Sequence, residues 1–204
     1  MGATLACMPP PTTYGLRSSG DAPDKGETRV SGTVGALTFA SGASEGGGGG
    51  AIPHVLVDED IGITNHISVG LSQGAALNGA FSGEAELVYD AELDGPADFG
   101  ARAGAGMLLL GDTPYVRPYA GEVVGYEVAD NASPYLGVTI NPVFDGVIWW
   151  QVHPGFVYDP GPGEGVRFGA EVTVMAATGG AGPTIVTTQV FVGGTFAGCE
   201  ARAE

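Results

Sequence analysis

Strict alternation of apolar and polar residues is the feature that most constrains how this chain can fold. It is clearest from 81 to 93, where Leu87 and Tyr89 fall on one face and Glu84 and Glu86 fall on the other. A β-strand with this pattern has one face in an apolar medium and the other face in a polar one. The same alternation recurs in three later segments, 99–110, 148–158 and 166–175.

Segments of this kind follow one another along most of the chain, and the breaks between them are rich in glycine, proline and aspartate. Strands of globular proteins most often contain about five or six residues, whereas a tilted strand that crosses a bilayer needs about 9–11. The longer length fits these segments better. The predicted strands are 28–40, 52–62, 66–74, 81–93, 98–110, 115–128, 134–141, 146–158, 164–177 and 184–196.

Composition indicates a membrane setting. Hydrophobic residues make up 44% of the sequence and charged residues 15%, and Lys25 is the single lysine, although soluble surfaces normally carry many. No stretch approaches the roughly 20 apolar residues of a membrane helix, and a closed barrel is the other structure that satisfies every backbone amide inside a bilayer. We therefore predict an all-β fold: a single closed antiparallel up-and-down transmembrane β-barrel of about ten strands, with eight to ten allowed. Residues 28–196 form this barrel, 1–27 a flexible tether and 197–204 a C-terminal tail.

A soluble secreted protein is the alternative interpretation of the same pattern. A β-sandwich or jelly roll that serves as a binding or assembly module would bury its apolar faces between two sheets, and alternation by itself is compatible with that arrangement. Strand length and the scarcity of lysine favour the barrel over the sandwich.

The polar faces of the predicted strands carry charge. A ten-stranded barrel has a narrow interior that side chains largely fill, and buried charges are costly unless they are paired. We expect a structural network of charges that fills the lumen, and a narrow polar pathway or small-ligand pocket is the alternative. Strict alternation from Arg117 would turn Glu122 outward, so we expect a bulge or a different register there. The predicted network consists of Arg102, Arg117, Arg167, Glu84, Glu86 and Glu171.

Several functional classes find little support in the sequence. A net charge of −16 would repel a nucleic-acid backbone, and no cysteine–histidine cluster indicates zinc or another cofactor. His66 and Ser68 lie two residues apart without any catalytic signature, so we predict that the chain is not an enzyme. The acidic triplet 58–60 lacks the spacing of a calcium loop and is interpreted as a solvated acidic rim.

Residues 1–7 resemble the end of a bacterial lipoprotein signal. Small residues precede Cys7, and a proline-rich stretch begins at Pro9. This resemblance implies a lipid anchor on Cys7 and a tether over 8–27. The alternative is a disulfide between Cys7 and Cys199 in an oxidising compartment.

Two segments resemble bacterial outer-membrane β-barrels. Residues 61–71 combine an apolar strand end, a Thr64–Asn65 turn and a strand alternating toward glycine and leucine, and residues 189–196 form a last strand that ends on Phe196. The resemblance implies a porin-like barrel in the outer membrane, in contact with its lipids, either structural or weakly pore-forming. The glycine run 46–50 would form the first outward loop. An interfacial aromatic girdle would draw on a set of tyrosine and tryptophan residues, and the alternative is that they are ordinary core aromatics. They are Tyr115, Tyr119, Tyr126, Tyr135, Trp149, Trp150 and Tyr158.

Overall fold

The computed structural model describes residues 23–39, 51–92, 96–110, 113–129, 131–142, 147–159, 166–178 and 184–196. Cys7, Cys199 and the glycine run 46–50 lie outside these residues. In the described part of the chain, no helix is long and apolar enough to cross a membrane. The strands are β1 Thr28–Phe39, β2 Ile52–Thr64, β3 Ile67–Ala76, β4 Phe81–Glu92, β5 Ala97–Leu110, β6 Thr113–Tyr126, β7 Ala132–Pro142, β8 Ile148–Tyr158, β9 Val166–Ala177 and β10 Ile185–Phe196.

These strands form one closed antiparallel barrel. Each strand pairs with its neighbours in sequence, and β1 pairs with β10 along its whole length, from Thr28 opposite Phe196 to Phe39 opposite Ile185. Closure leaves no unpaired strand edge. The ten-stranded barrel is therefore confirmed, the sandwich alternative is wrong, and every strand bound lies within two residues of its prediction.

Both ends of the barrel chain lie at the same rim. We call the end where β1 begins at Thr28 and β10 ends at Phe196 the terminal rim, and the opposite end the far rim. A two-residue turn, Asn65–His66, joins β2 to β3 at the terminal rim, one residue later than predicted.

The outer surface of the barrel is apolar and its interior is largely polar. Val34, Leu87 and Val190 are more than half exposed, whereas their neighbours along each strand are more buried. The two tryptophans of β8 show the alternation most clearly, since Trp149 is 3% exposed and Trp150 is 37% exposed. Strands with an apolar outer face are suited to a lipid surrounding. The hydrocarbon of the bilayer contacts these side chains, whereas a soluble barrel would have to bury its apolar side chains in a core.

Apolar side chains fill part of the interior near each rim. A cluster toward the far rim contains Leu37, Trp149, Met175, Ala177 and Ile185. A second cluster, toward the terminal rim, contains Val123, Tyr135, Val157 and Phe191. Trp149 and Tyr135 of the predicted aromatic girdle thus lie inside the barrel, as does Tyr119, whereas Tyr126 and Trp150 face outward.

Two sequence predictions about charged residues are corrected by the strand register. Pairing between β5 and β6 is unbroken from Ala97 opposite Tyr126 to Leu110 opposite Thr113, so the expected bulge is absent there and Glu122 faces outward. The irregularity lies instead in β2, between Gly62 and Thr64.

The acidic triplet 58–60 is not a solvated rim. Asp58 and Asp60 point into the barrel and are 4% and 3% exposed, while Glu59 faces outward. The triplet lies well inside β2, so its members alternate between the two faces of the wall instead of sharing a surface loop.

Candidate functional site: the charged lumen

The lumen contains more buried acids than bases among the residues that the structure describes. Six carboxylates and three arginines are buried on inward-facing positions. Burying a charge is costly unless hydrogen bonds or an opposite charge compensate it, so the contacts of these groups determine what the lumen can do. The acids are Asp58, Asp60, Glu84, Glu86, Asp90 and Glu171, and the bases are Arg29, Arg102 and Arg117.

Glu171 is the centre of one hydrogen-bonded cluster, and its side chain is fully buried. The Tyr135 hydroxyl donates to Glu171 Oε2 at 2.7 Å, and the Gln189 amide donates to Oε1 at 2.6 Å. Thr173 donates to Oε1 at 2.9 Å, and His153 Nδ1 lies 3.2 Å from the same oxygen. Both carboxylate oxygens thus have polar partners, and together these partners come from four strands. Such contacts reduce the energetic cost of burying a carboxylate.

Two glycines make this cluster geometrically feasible. Tyr135, Gly155 and Glu171 lie opposite one another on β7, β8 and β9, and a Cβ at Gly155 would overlap the Tyr135 ring. Gly35 lies between His54 and Gln189 in the same way, with its Cβ position 2.7 Å from His54 Cε1. Each glycine therefore lets a ring cross a neighbouring strand, so that Tyr135 contacts Glu171 and His54 Nε2 comes within 3.5 Å of Gln189 Oε1.

Glu86 is the centre of a second cluster on the opposite wall. The Tyr119 hydroxyl donates to Glu86 Oε2 at 2.7 Å, and Arg102 Nη1 lies 3.6 Å from the same oxygen. The Arg102 guanidinium also stands 5.5 Å from the centre of the Tyr119 ring and donates to Thr139 Oγ1 at 3.5 Å. The arginine therefore links β4 and β6 to β7 on this side of the lumen.

The two clusters share one construction. Tyr119, Gly104 and Glu86 lie opposite one another on β6, β5 and β4, just as Tyr135, Gly155 and Glu171 do on β7, β8 and β9. In both cases a tyrosine crosses a glycine and donates to a glutamate two strands away. The arrangement is mirrored about the β6–β7 pair, so both walls project a tyrosine–glutamate contact into the lumen.

The structure brings some of the predicted network residues together and separates others. Arg102 and Glu86 form an ion pair, and Arg117 and Glu84 are also buried inside the barrel. Glu171 belongs to the other cluster, where His153 is an ionisable partner of its carboxylate. Arg167 lies at the terminal rim, where its Nε donates to Asp159 Oδ2 at 2.8 Å and its side chain is 24% exposed.

Sequence reasoning missed most of the uncharged members of the clusters. Tyr119 and Tyr135 were candidates either for an interfacial girdle or for the barrel interior, and Gln189 and Thr173 carried no motif. The signal that would have found them is an inward-facing tyrosine paired with an inward-facing glycine, which requires the register between strands. His66 and Ser68 are separated, since His66 is exposed in the turn and Ser68 is buried in the lumen.

A second pair of contacts holds Asp58. The hydroxyls of Ser31 and Ser72, on the two flanking strands, donate to its two carboxylate oxygens, the first at 3.3 Å. Within the described residues, no group of three or more histidine, cysteine, aspartate or glutamate side chains is placed to hold a metal ion.

The barrel resembles solved structures of outer-membrane proteins. An outer membrane channel from Pseudomonas putida F1 is similar to this chain with a TM-score of 0.56 at 9% sequence identity, over 86% of this chain and 97% of that one. The fold is that of a bacterial outer-membrane β-barrel. This fold confirms the closed antiparallel barrel that the sequence predicted, and the apolar outer surface is the one expected of a barrel that spans a membrane.

Other solved barrels overlay less closely. The KdgM porin in complex with disordered oligogalacturonate has a TM-score of 0.46 at 10% identity, covering 83% of this chain and 99% of that one. The N-terminal β-barrel domain of Pseudomonas aeruginosa OprF has a TM-score of 0.41 at 9% identity, covering 84% and 98%. No protein-family model matches the sequence, and no curated protein matches it either.

Proposed function

We propose that this chain is a non-enzymatic structural barrel of the outer membrane whose lumen is closed by its own side chains. In this proposal the two tyrosine–glutamate clusters and the apolar clusters near each rim together fill the interior. The barrel then contributes a stable membrane-spanning wall and carries little or no ion current.

The observation that carries the proposal is the burial of Glu171 among four hydrogen-bonding partners. A carboxylate that lined an open aqueous pore would be hydrated, whereas this side chain has no exposed surface and both of its oxygens bond to protein groups. Glu86, also fully buried, repeats the arrangement on the opposite wall. Because these side chains already hydrogen-bond to one another, water would gain little by replacing them.

Ion current through the purified barrel in a planar bilayer tests the proposal. We expect wild-type protein that shows heat-modifiable gel migration to produce little current. The Glu171→Ala variant should conduct more, because Tyr135 and Gln189 lose the carboxylate that fixes their side chains inside the lumen. A large, steady current through the wild-type barrel would overturn the proposal.

A weakly conducting, cation-selective barrel is the second candidate, and the excess of buried acids over arginines favours it. An acidic lumen concentrates cations and repels anions. In the same bilayer experiment, with a salt gradient across the membrane, any residual current should reverse close to the equilibrium potential of the cation.

The lipid anchor on Cys7, the tether over the part of residues 1–27 that precedes Pro23, and contact with outer-membrane lipids belong to the same proposal. They stay predictions from the sequence. The absence of catalysis is likewise proposed, and it is supported by the separation of His66 from Ser68.

A further inference from the structure

The chain reverses direction immediately before β1. Glu27 N donates to Asp24 O at 2.8 Å, which closes a turn with Lys25 and Gly26 at its centre. Gly26 has a φ of 85°, in the left-handed region that glycine adopts without strain. Pro23 is therefore directed back toward the barrel, whereas a simple extension of β1 would carry it away.

The turn is tied to β2 by backbone hydrogen bonds. Gly26 N donates to Gly62 O at 3.0 Å, and Gly62 N donates to Glu27 O at 3.0 Å. These bonds extend the β1–β2 ladder beyond Thr28. The turn is thus fixed to the barrel wall at the terminal rim.

Gly62 is the contact point between this turn and the lumen. It belongs to the inward-facing series of β2 that includes Asp58 and Asp60, and a Cβ there would overlap the carbonyl oxygens of Pro23 and Asp24. Pro23 is buried. The backbone at 23–24 therefore lies over the inner face of the wall, at the mouth of the barrel.

Residues close to this mouth are almost fully buried. Arg29 and Ser68 are the second residues of β1 and β3 counted from the terminal rim, yet they are 3% and 2% exposed. Ser68 lies directly opposite Gly62. Pro23 and Asp24, which overlie Gly62, and Ser68 thus lie on the same side of the mouth.

We propose that residues 23–27 form a strap that latches over Gly62 and narrows the terminal mouth of the lumen. The proposal rests on the proposed function, because a strap matters for conductance only where the lumen is otherwise nearly closed. It assigns closure of this mouth to the backbone preceding β1, in addition to the side-chain clusters deeper inside.

Two substitutions should release the strap by independent routes. Gly26→Val strains the turn, because a β-branched residue disfavours the left-handed conformation, and Gly62→Ala pushes the strap away from the wall. Each has a matched control in the same barrel. Gly79 has a φ of 83° in a turn at the far rim, so Gly79→Val introduces the same strain at the other mouth. Gly32 has open space around its Cβ position, so Gly32→Ala tests the loss of glycine alone.

Lysine-specific proteolysis measures strap release directly, because Lys25 is the single lysine of the chain and lies in the turn. Cleavage of a folded segment follows the population of its opened form. We expect the folded Gly26→Val barrel to be cut about tenfold faster than wild type, since the left-handed conformation disfavours a Cβ. Gly79→Val should be cut at the wild-type rate.

Bilayer current then shows whether the strap narrows the mouth. Gly26→Val and Gly62→Ala should each conduct several-fold more than wild type, and both control variants should match wild type. Faster cleavage without any rise in current would overturn the closing role, and unchanged cleavage would overturn the strap itself. A large current through wild-type protein would instead contradict the proposed function, so the two failures are distinguishable.

Discussion

Individual residues show how charge is tolerated inside a narrow barrel. Glu171 has no exposed surface, and hydroxyl, amide and imidazole groups from four strands surround it. Glu86 combines a tyrosine hydroxyl with an arginine. In each cluster the glutamate is compensated by groups from other strands, so losing one partner leaves a buried charge less well solvated by the protein.

Removing the hydroxyl of Tyr135 should destabilise the folded barrel. Tyr135→Phe keeps the ring that packs with Val157 and Phe191 but deletes the donor to Glu171. Because hydrogen bonds to charged groups contribute about 1.5–3 kcal/mol, we expect a decrease of that size in the free energy of unfolding. Urea unfolding in lipid vesicles, followed by tryptophan fluorescence, provides the measurement.

Tyr126→Phe is the matched control, because Tyr126 faces outward and is 51% exposed. Its free energy of unfolding should change by a few tenths of a kcal/mol at most, as surface substitutions usually do. Equal effects of the two tyrosine substitutions would show that the Tyr135–Glu171 contact contributes nothing.

Strands and their faces could be predicted from the sequence because side-chain direction alternates with a period of two. Glu86 and Leu87 illustrate this, since the alternation over 81–93 placed them on opposite faces and Glu86 is buried whereas Leu87 is exposed. The same rule explains why the bulge expected near Glu122 is absent. A one-residue slip would also turn Val123 out of its contacts with Tyr135 and Phe191, so the apolar contacts keep the register and Glu122 stays outward.

Contacts between distant strands could not be predicted in the same way. Tyr135 and Glu171 are 36 residues apart, and they meet only through the registers of β7, β8 and β9. Those registers depend on turn lengths and on the shear of the closed barrel, neither of which is encoded in alternation. This is why part of the buried charge was identified from the sequence while most of its partners were not. The buried members of the predicted network are Glu84, Glu86, Arg102, Arg117 and Glu171, whereas Asp58 and Asp60 were expected at a solvated rim.

The outward position of Glu122 gives a prediction at the level of a strand. Its neighbours on the outer surface are apolar, with Ala101 and Val138 directly opposite it and Val124 next along its face. Lipid-facing carboxylates cost less than the roughly 2–4 kcal/mol measured for arginine at the bilayer midplane. We therefore expect Glu122→Val to raise the free energy of unfolding by about 1 kcal/mol.

Leu87→Arg is the opposing test, because Leu87 is 59% exposed on the outer face of β4. It should lower the free energy of unfolding by about 2–4 kcal/mol if the side chain lies near the bilayer centre. Both variants are measured by urea unfolding in vesicles of the same lipid. Stabilisation by arginine, or destabilisation by valine, would indicate that this surface faces water.

In the part of the chain that the structure describes, the barrel is largely inside out: its outer surface is mostly apolar, and most of its buried charged side chains face the lumen. Composition, the long strands and the scarcity of lysine were enough to predict this arrangement, because each reflects the solvent around the barrel. Closure between β1 and β10 follows from an even number of antiparallel strands with no edge left unpaired. The filling of the lumen depends on three-dimensional contacts, so it is the part of the account that most needs the structure.

Lipid contact around the full circumference is the most direct test of the central claim that a closed barrel spans the bilayer. Single cysteines, in a background where Cys7 and Cys199 are serine, would carry a fluorophore in vesicles that contain brominated acyl chains. The outward positions to be labelled are Val34, Leu87, Val138, Val172 and Val190, and the rim control is Lys25. We predict quenching by the brominated chains at all five outward positions and little at residue 25. Absence of quenching at the positions on one side of the circumference, or at all five positions, would contradict a closed barrel that spans the bilayer.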